Sequence, residues 1–133
     1  MRGWFATLVQ MGSPVTIGIV DDDLSVRKGL SRFLRSAGWR VDTFSSAEEC
    51  LASPQLLSIG CFIIDVHLGG MNGFEFLRHL DDAGSRPPAV FITAHDEAVT
   101  REALTNAGSP ICLRKPFAPD ALLSSIQSVL HLE

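Results

Sequence analysis

Long apolar runs are missing from this chain. No stretch approaches the roughly 20 consecutive apolar residues needed to span a bilayer, so no membrane partner is expected. Positive charge is in deficit too. The formal net charge is −4 and the isoelectric point is near 5.5, which gives no support for direct nucleic acid binding. Cysteine is sparse: Cys50, Cys61 and Cys112 are odd in number, widely spaced and form no Cys-x-x-Cys pair. Zinc sites and disulfide frameworks are therefore weak readings, and small hydrophobes in a reducing compartment are the better one. The first dozen residues carry one Arg and no proper apolar h-region, so a cleaved signal peptide is not expected. No solenoid-type repeat and no linker long enough for a second domain is visible.

What is present suits one globular domain. The chain has 133 residues, 46% hydrophobic and 20% charged, enough to bury a real core and ordinary in balance. Residues 1–13 are expected to form an N-terminal extension that is poorly ordered or lies on the surface, and residues 14–133 the domain itself. Met11 is an alternative start.

The organising stretch runs from Cys61 to Gly73. Cys61-Phe62-Ile63-Ile64 leads straight into Asp65, and a glycine-rich turn follows. Such an apolar run suits a strand buried on both faces, as in a parallel sheet. Asp65 then stands at the carboxyl end of that strand, where open α/β sheets bind ligands. Earlier, Val15–Val20 reads as a strand ending on Asp21, Asp22 and Asp23. Val26, Leu30, Phe33, Leu34 and Ala37 mark the buried face of a helix, stopped by Gly38. Trp39–Thr43 alternates like an outer strand. Ser45 with Glu48 has capping-box spacing before a short helix, and Pro54 lies at or just past its end.

After the central strand, 72–83 can form a helix with Phe74, Leu77 and Leu80 on its inner face. Ala89–Thr93 is an apolar strand ending on a hydroxyl. A weaker helix covers 96–107, closed by Gly108. Ile111–Leu113 is a short strand ending at Arg114-Lys115-Pro116. A last helix from about Pro119 buries Leu122, Ile126, Val129 and Leu130. Strand and helix alternate five times, which predicts an α/β fold: a doubly wound, five-stranded parallel sheet with five helices and right-handed crossovers.

Asp21 and Asp22, Asp65, Thr93 and Lys115 fall at successive strand ends, which share one edge of such a sheet. Crowded carboxylates repel and titrate together. Mg²⁺, a hard cation that takes oxygen ligands, relieves this and neutralises charge on a phosphoryl group. Asp65 could then attack phosphorus to give an aspartyl phosphate. Lys115 would balance the phosphoryl charge, and the Thr93 hydroxyl could donate to a phosphoryl oxygen. Each residue has an ordinary reading when taken singly. Asp21 to Asp23 could merely cap the first helix, the better reading for Asp23 alone; Thr93 could be an ordinary strand residue and Lys115 a solvated surface charge. Together, one per strand end, the ordinary readings become poor.

With these residues in place, the chain resembles the receiver domain of bacterial two-component response regulators from about Val15 to Leu130. The matching pieces are Ile19-Val20-Asp21-Asp22-Asp23, Ile63-Ile64-Asp65 with Gly73 eight residues on, Phe91-Ile92-Thr93-Ala94, and Lys115-Pro116-Phe117. Thr93-Ala94-His95-Asp96 and Leu113–Phe117 look nearest to the FixJ-like branch. The resemblance implies the CheY-like strand order 2-1-3-4-5, an order for which that fold is the standard example. It implies Asp65 as phosphoacceptor, Asp22 and Asp65 as direct Mg²⁺ ligands, Asp21 acting through water and the His67 backbone carbonyl as a further ligand. Thr93 and Lys115 would contact the phosphoryl group, and Lys115–Pro116 would be cis. The implied partners are a sensor histidine kinase or phosphotransfer protein, a downstream protein or effector domain, and a phosphorylation-dependent homodimer through the fourth helix, fifth strand and fifth helix. The expected role is a cytoplasmic signalling switch that assists its own phosphorylation and dephosphorylation rather than an enzyme with a separate substrate.

Two positions depart from the family pattern. Gly69 stands where proline is common, which with Gly70 should loosen the loop. Cys112 stands where an aromatic ring usually moves as the threonine engages phosphate. His67 and His95 lie two residues beyond Asp65 and Thr93, at positions that tune phosphoryl lifetime in the family; a pair of exposed rim histidines is the plainer reading. Two other functions stay open. A haloacid-dehalogenase-type phosphatase uses an aspartate at a strand end but needs a second one two residues later, where His67 stands. A pseudo-receiver would bind partners without ever being phosphorylated.

Overall fold

In β3 (Ile59–Asp65) the side chains of Cys61 and Ile63 point to one face of a sheet and those of Phe62 and Ile64 to the other, all fully buried. The computed structural model of the protein describes residues 15–84, 86–94, 98–107 and 111–130. β1 (Thr16–Val20) and β4 (Ala89–Thr93) flank β3, with β2 (Arg40–Phe44) and β5 (Ile111–Arg114) at the edges. All neighbours are parallel, and the order is β2-β1-β3-β4-β5. That is the expected fold class and strand order.

Two apolar layers result from the period-two alternation of the strands. On one side Ile17, Ile19, Cys61, Ile63 and Ile92 pack with Leu34 of α1 (Leu24–Ser36) and with Leu122 and Ile126 of α5 (Pro119–Leu130). On the other, Val20, Phe62, Ile64 and Phe91 pack with Cys50 of α2 (Ala47–Ala52) and with Phe76, Leu77 and Leu80 of α3 (Gly73–Asp82). Leu104 of α4 (Ala98–Asn106) adds to this second layer. The central strand β3 thus lies between two layers of helices, as a parallel sheet requires.

The helix ends are set by local chemistry. Asp23 caps α1, its Oδ1 accepting from the backbone N–H of Ser25 at 2.8 Å and of Val26 at 3.4 Å. Gly38 follows with φ +97°, the left-handed stop anticipated after that helix. Ala37 is an exposed C-cap and not part of the buried face. Asn72 and Glu75 form a reciprocal capping box on α3.

Three further sequence expectations need correction. The cap of α2 is Ser46 rather than Ser45: Ser46 Oγ accepts from the Glu49 N–H at 3.0 Å, and Glu49 reaches back to the Ser45 N–H. Glu48 is released from capping and bonds elsewhere. β3 begins two residues early, at Ile59, because a single 3₁₀ turn (Leu56–Ser58) delivers the chain directly to the sheet. On α3 the inner stripe is Gly73, Phe76, Leu77 and Leu80, the i, i+3, i+4, i+7 pattern. Phe74 is only partly buried and lies against Phe91, centroids 5.0 Å apart. Phe76 instead meets Phe62 edge-on, at 5.2 Å and 89°. Residues 1–14, Gly108 and the terminal Leu132-Glu133 lie outside the described residues.

The cysteines behave as small hydrophobes. Cys50 and Cys61 are buried, and burial pushes each thiol up to about 12, leaving it inert at neutral pH. Among the described residues no helix is long and apolar enough to cross a membrane.

The burial difference on α3 makes a testable contrast. Phe76→Ala is expected to destabilise the domain by about 3–5 kcal/mol, and Phe74→Ala by clearly less. Urea unfolding of both variants checks this, and equal losses would contradict the packing described.

Candidate functional site

The ends of β1, β3 and β4 and the residue after β5 converge on one patch. β1 delivers Asp21 and Asp22, β3 delivers Asp65, and β4 delivers Thr93. Asp21 is fully buried, Asp65 and Thr93 nearly so, and Asp22 is exposed. Carboxylate oxygens of Asp21, Asp22 and Asp65 all lie within 4.8 Å of one another. Every sequence-predicted site residue in the described chain therefore reaches this edge.

Lys115 holds the acids together. Its Nζ donates to Asp21 Oδ2 at 2.8 Å and to Asp65 Oδ2 at 3.0 Å. The lysine is placed by its own backbone: its N–H donates to the Thr93 carbonyl at 2.7 Å, and the Lys115–Pro116 bond is cis, as the resemblance implied. Burial works against its positive charge, but hydrogen bonds to Asp21 and Asp65 and their charges outweigh that, so its pKa is raised. Asp21 moves up as well. Burial is the main cause and the Asp65 charge adds to it, while Lys115 and the Asp23 N–H partly offset it.

Backbone groups fix the remaining lone pairs. The Asp23 N–H donates to Asp21 Oδ1 at 2.9 Å, and the His67 N–H donates to Asp65 Oδ1 at 2.9 Å. Arg27 Nη1 reaches back from α1 to the Asp21 carbonyl at 2.8 Å. The resemblance implied a role for the His67 carbonyl and did not point to this N–H contact. Nor did the sequence point to Arg27, because a residue one turn into a helix carries no signal that it returns to the strand before. The His67 side chain is exposed, and His95 lies outside the described residues.

Gly73 brings α3 against the site. A Cβ there would lie 2.8 Å from the Asp65 carbonyl oxygen, 3.0 Å from Ile64 Cγ2 and 3.1 Å from the Phe91 ring. No larger residue allows that approach without displacing backbone. Cys112, on β5, is half-buried against the layer that holds Phe91.

This chain matches the family model described as the response regulator receiver domain over residues 17–127. It belongs to that family. Response regulator protein TmoT of Ectopseudomonas mendocina is 38% identical over 116 residues, 87% of this chain and 53% of that protein. Transcriptional regulatory protein FixJ of Bradyrhizobium diazoefficiens is 32% identical over 115 residues, 86% of this chain and 56% of that protein. The solved chemotaxis protein CheY4 of Vibrio cholerae superposes with a TM-score of 0.78 at 30% identity, covering 86% of this chain and 98% of its own. The chain spans about half the length of the curated relatives it matches. Phosphorylation switching is the general function of receiver domains, which work with histidine kinases and downstream effectors and generally bind Mg²⁺ at an acidic pocket. Membership sets the haloacid-dehalogenase reading aside.

The raised pKa of Asp21 has a thermodynamic sign. Its folded value lies above the ordinary 3.8, so the folded state holds that proton more tightly than the unfolded one. The ionised carboxylate therefore costs stability at neutral pH, and the cost fades as pH falls through the raised value. With a chelator present at pH 7, Asp21→Asn is expected to raise the thermal midpoint, by an amount that shrinks on acidification toward that range. A lower midpoint than wild type at pH 7 would contradict it.

Proposed function

We propose that Asp65 is the phosphoacceptor of this receiver domain. The carrying observation is the setting of its carboxylate, with Oδ1 on the His67 N–H and Oδ2 on Lys115, in a patch with Asp21 and Asp22. One carboxylate oxygen attacks phosphorus as the bond to the donor breaks, leaving the donor imidazole of a phosphohistidine free. The donor is a sensor histidine kinase or a phosphotransfer protein.

Three acids beside one lysine leave net negative charge, and the donor atoms are all oxygen, which fits a hard divalent cation. Asp22, Asp65 and the His67 carbonyl would hold Mg²⁺, with Asp21 acting through water. When bound, the ion would neutralise part of the charge on the phosphoryl group. Lys115 moves from pairing carboxylates to pairing phosphoryl oxygens, and the Thr93 hydroxyl donates to another. Positioning and electrostatics supply most of such a transfer, and the same groups assist loss of the phosphoryl group.

The switch surface of this reading is α4, β5 and α5; α4 and β5 follow Thr93 in the chain, and α5 follows Lys115. Its partners are a downstream protein or effector domain and, on phosphorylation, a second copy of the domain, in the cytoplasm. Cys112 on β5 removes the aromatic ring usual there, so the signal passes from Thr93 through backbone and α4.

Intact-protein mass after incubation with acetyl phosphate tests the reading. A single phosphate adduct is expected with Mg²⁺, with little or none in chelator and none in Asp65→Asn. Absence of the adduct under conditions that label a control receiver domain would leave the pseudo-receiver in its place.

A further inference from the structure

The loop after Asp65 contains adjacent glycines, with Leu68 and Met71 packed on the core to either side of them. Val66 and Gly73 secure its two ends: the Val66 N–H donates to Ile92 O at 2.9 Å and the Gly73 N–H to Val66 O at 3.2 Å. Between them, among the described residues, one hydrogen bond ties 68–71 to another element. The Met71 N–H donates to Glu48 Oε2 of α2 at 2.9 Å. Gly70 adopts φ +75°, and a Cβ there would lie 2.8 Å from the same Oε2. The glycine therefore serves twice, turning the chain and letting the carboxylate in. Glu48 sits in the first turn of α2, where negative charge is favoured. The Met71 N–H first and its own N–H second hold its pKa down, so it stays charged.

We infer that Glu48 is a positioning residue, whose bond to Met71 fixes the glycine turn and with it the His67 backbone beside Asp65. The inference rests on Asp65 being the phosphoacceptor. A turn of two glycines has more backbone freedom to lose than any other pair, and the His67 N–H and carbonyl lie on its entry side. An anchor on the exit side narrows the ensemble from which both groups reach the site. Glu48 is exposed, so its bond adds little to global stability; its effect falls on loop geometry. Gly69 offers an independent handle. It has no positive φ, and a Cβ there meets nothing within 4 Å. Gly69→Pro therefore restricts the loop covalently without a steric clash at Cβ.

Acetyl phosphate labelling rates with Mg²⁺, read by intact mass, compare wild type, Glu48→Ala, Glu48→Gln, Gly69→Pro and the Glu48→Ala/Gly69→Pro pair. Glu48→Ala is expected to slow labelling by about two- to tenfold, the range one such hydrogen bond spans. The thermal midpoint should stay near that of wild type. Glu48→Gln keeps an acceptor oxygen and should retain most of the rate. In the Gly69→Pro background the loss should be at least halved, a coupling that mere weakening of α2 would not produce. A wild-type rate in Glu48→Ala, or equal losses in the two backgrounds, overturns the inference. If wild type takes no adduct, the reading of Asp65 fails and amide exchange at Met71 decides the anchor. Faster exchange in Glu48→Ala than in Glu48→Gln supports it, and equal exchange overturns it.

Discussion

Asp21, Asp22 and Asp65 stand within 4.8 Å of one another at the carboxyl edge of the sheet, and a single ammonium group lies among them. Lys115 contacts both Asp21 and Asp65, at 2.8 and 3.0 Å, so one positive charge offsets part of the repulsion between the two acids. Desolvation of Asp21 is not fully repaid, which is why its pKa still moves upward. The site keeps a deficit of positive charge, and a divalent ion or a change of charge on Asp65 acts on that deficit.

Such a patch exists only because an apolar sheet carries it. β3 is buried on both faces and supplies no polar side chain before Asp65. The carboxylate therefore emerges at the first point where the strand leaves the core. α3 can begin so close to it because Gly73 has no Cβ to strike the Asp65 carbonyl. Strand burial, strand length and one missing methyl group together set where the acid sits.

Much of this was readable from residues alone. The apolar runs ending at Val20, Ile64 and Ile92 marked strands, and their parallel order with intervening helices placed Asp21, Asp22, Asp65, Thr93 and Lys115 on one edge. Periodicity was less reliable at Phe74 and Phe76. Spacing by threes admitted Phe74, whereas the helical stripe counted from Gly73 selects Phe76. Capping spacing was ambiguous by one residue because Ser45-Ser46 and Glu48-Glu49 are doubled. The contact that separated them, Glu48 with Met71, joins residues 23 positions apart, and no local pattern announces it. Arg27 and the His67 N–H were invisible for a similar reason, since backbone groups carry no mark in a sequence. Residues 1–13 as an extension and His95 as a tuning residue fall outside the described chain.

Lys115 follows β5, the outermost strand beyond β4, whereas its two acids belong to β1 and β3. β5 has only four residues, three of them half-buried and the last exposed. An edge strand this short gains little grip from apolar packing, so its carboxyl end is latched across β4 by charge. The seating of that margin is thereby an electrical property. A change in the ionic state of Asp21 or Asp65 therefore acts directly on a contact that reaches the edge of the sheet.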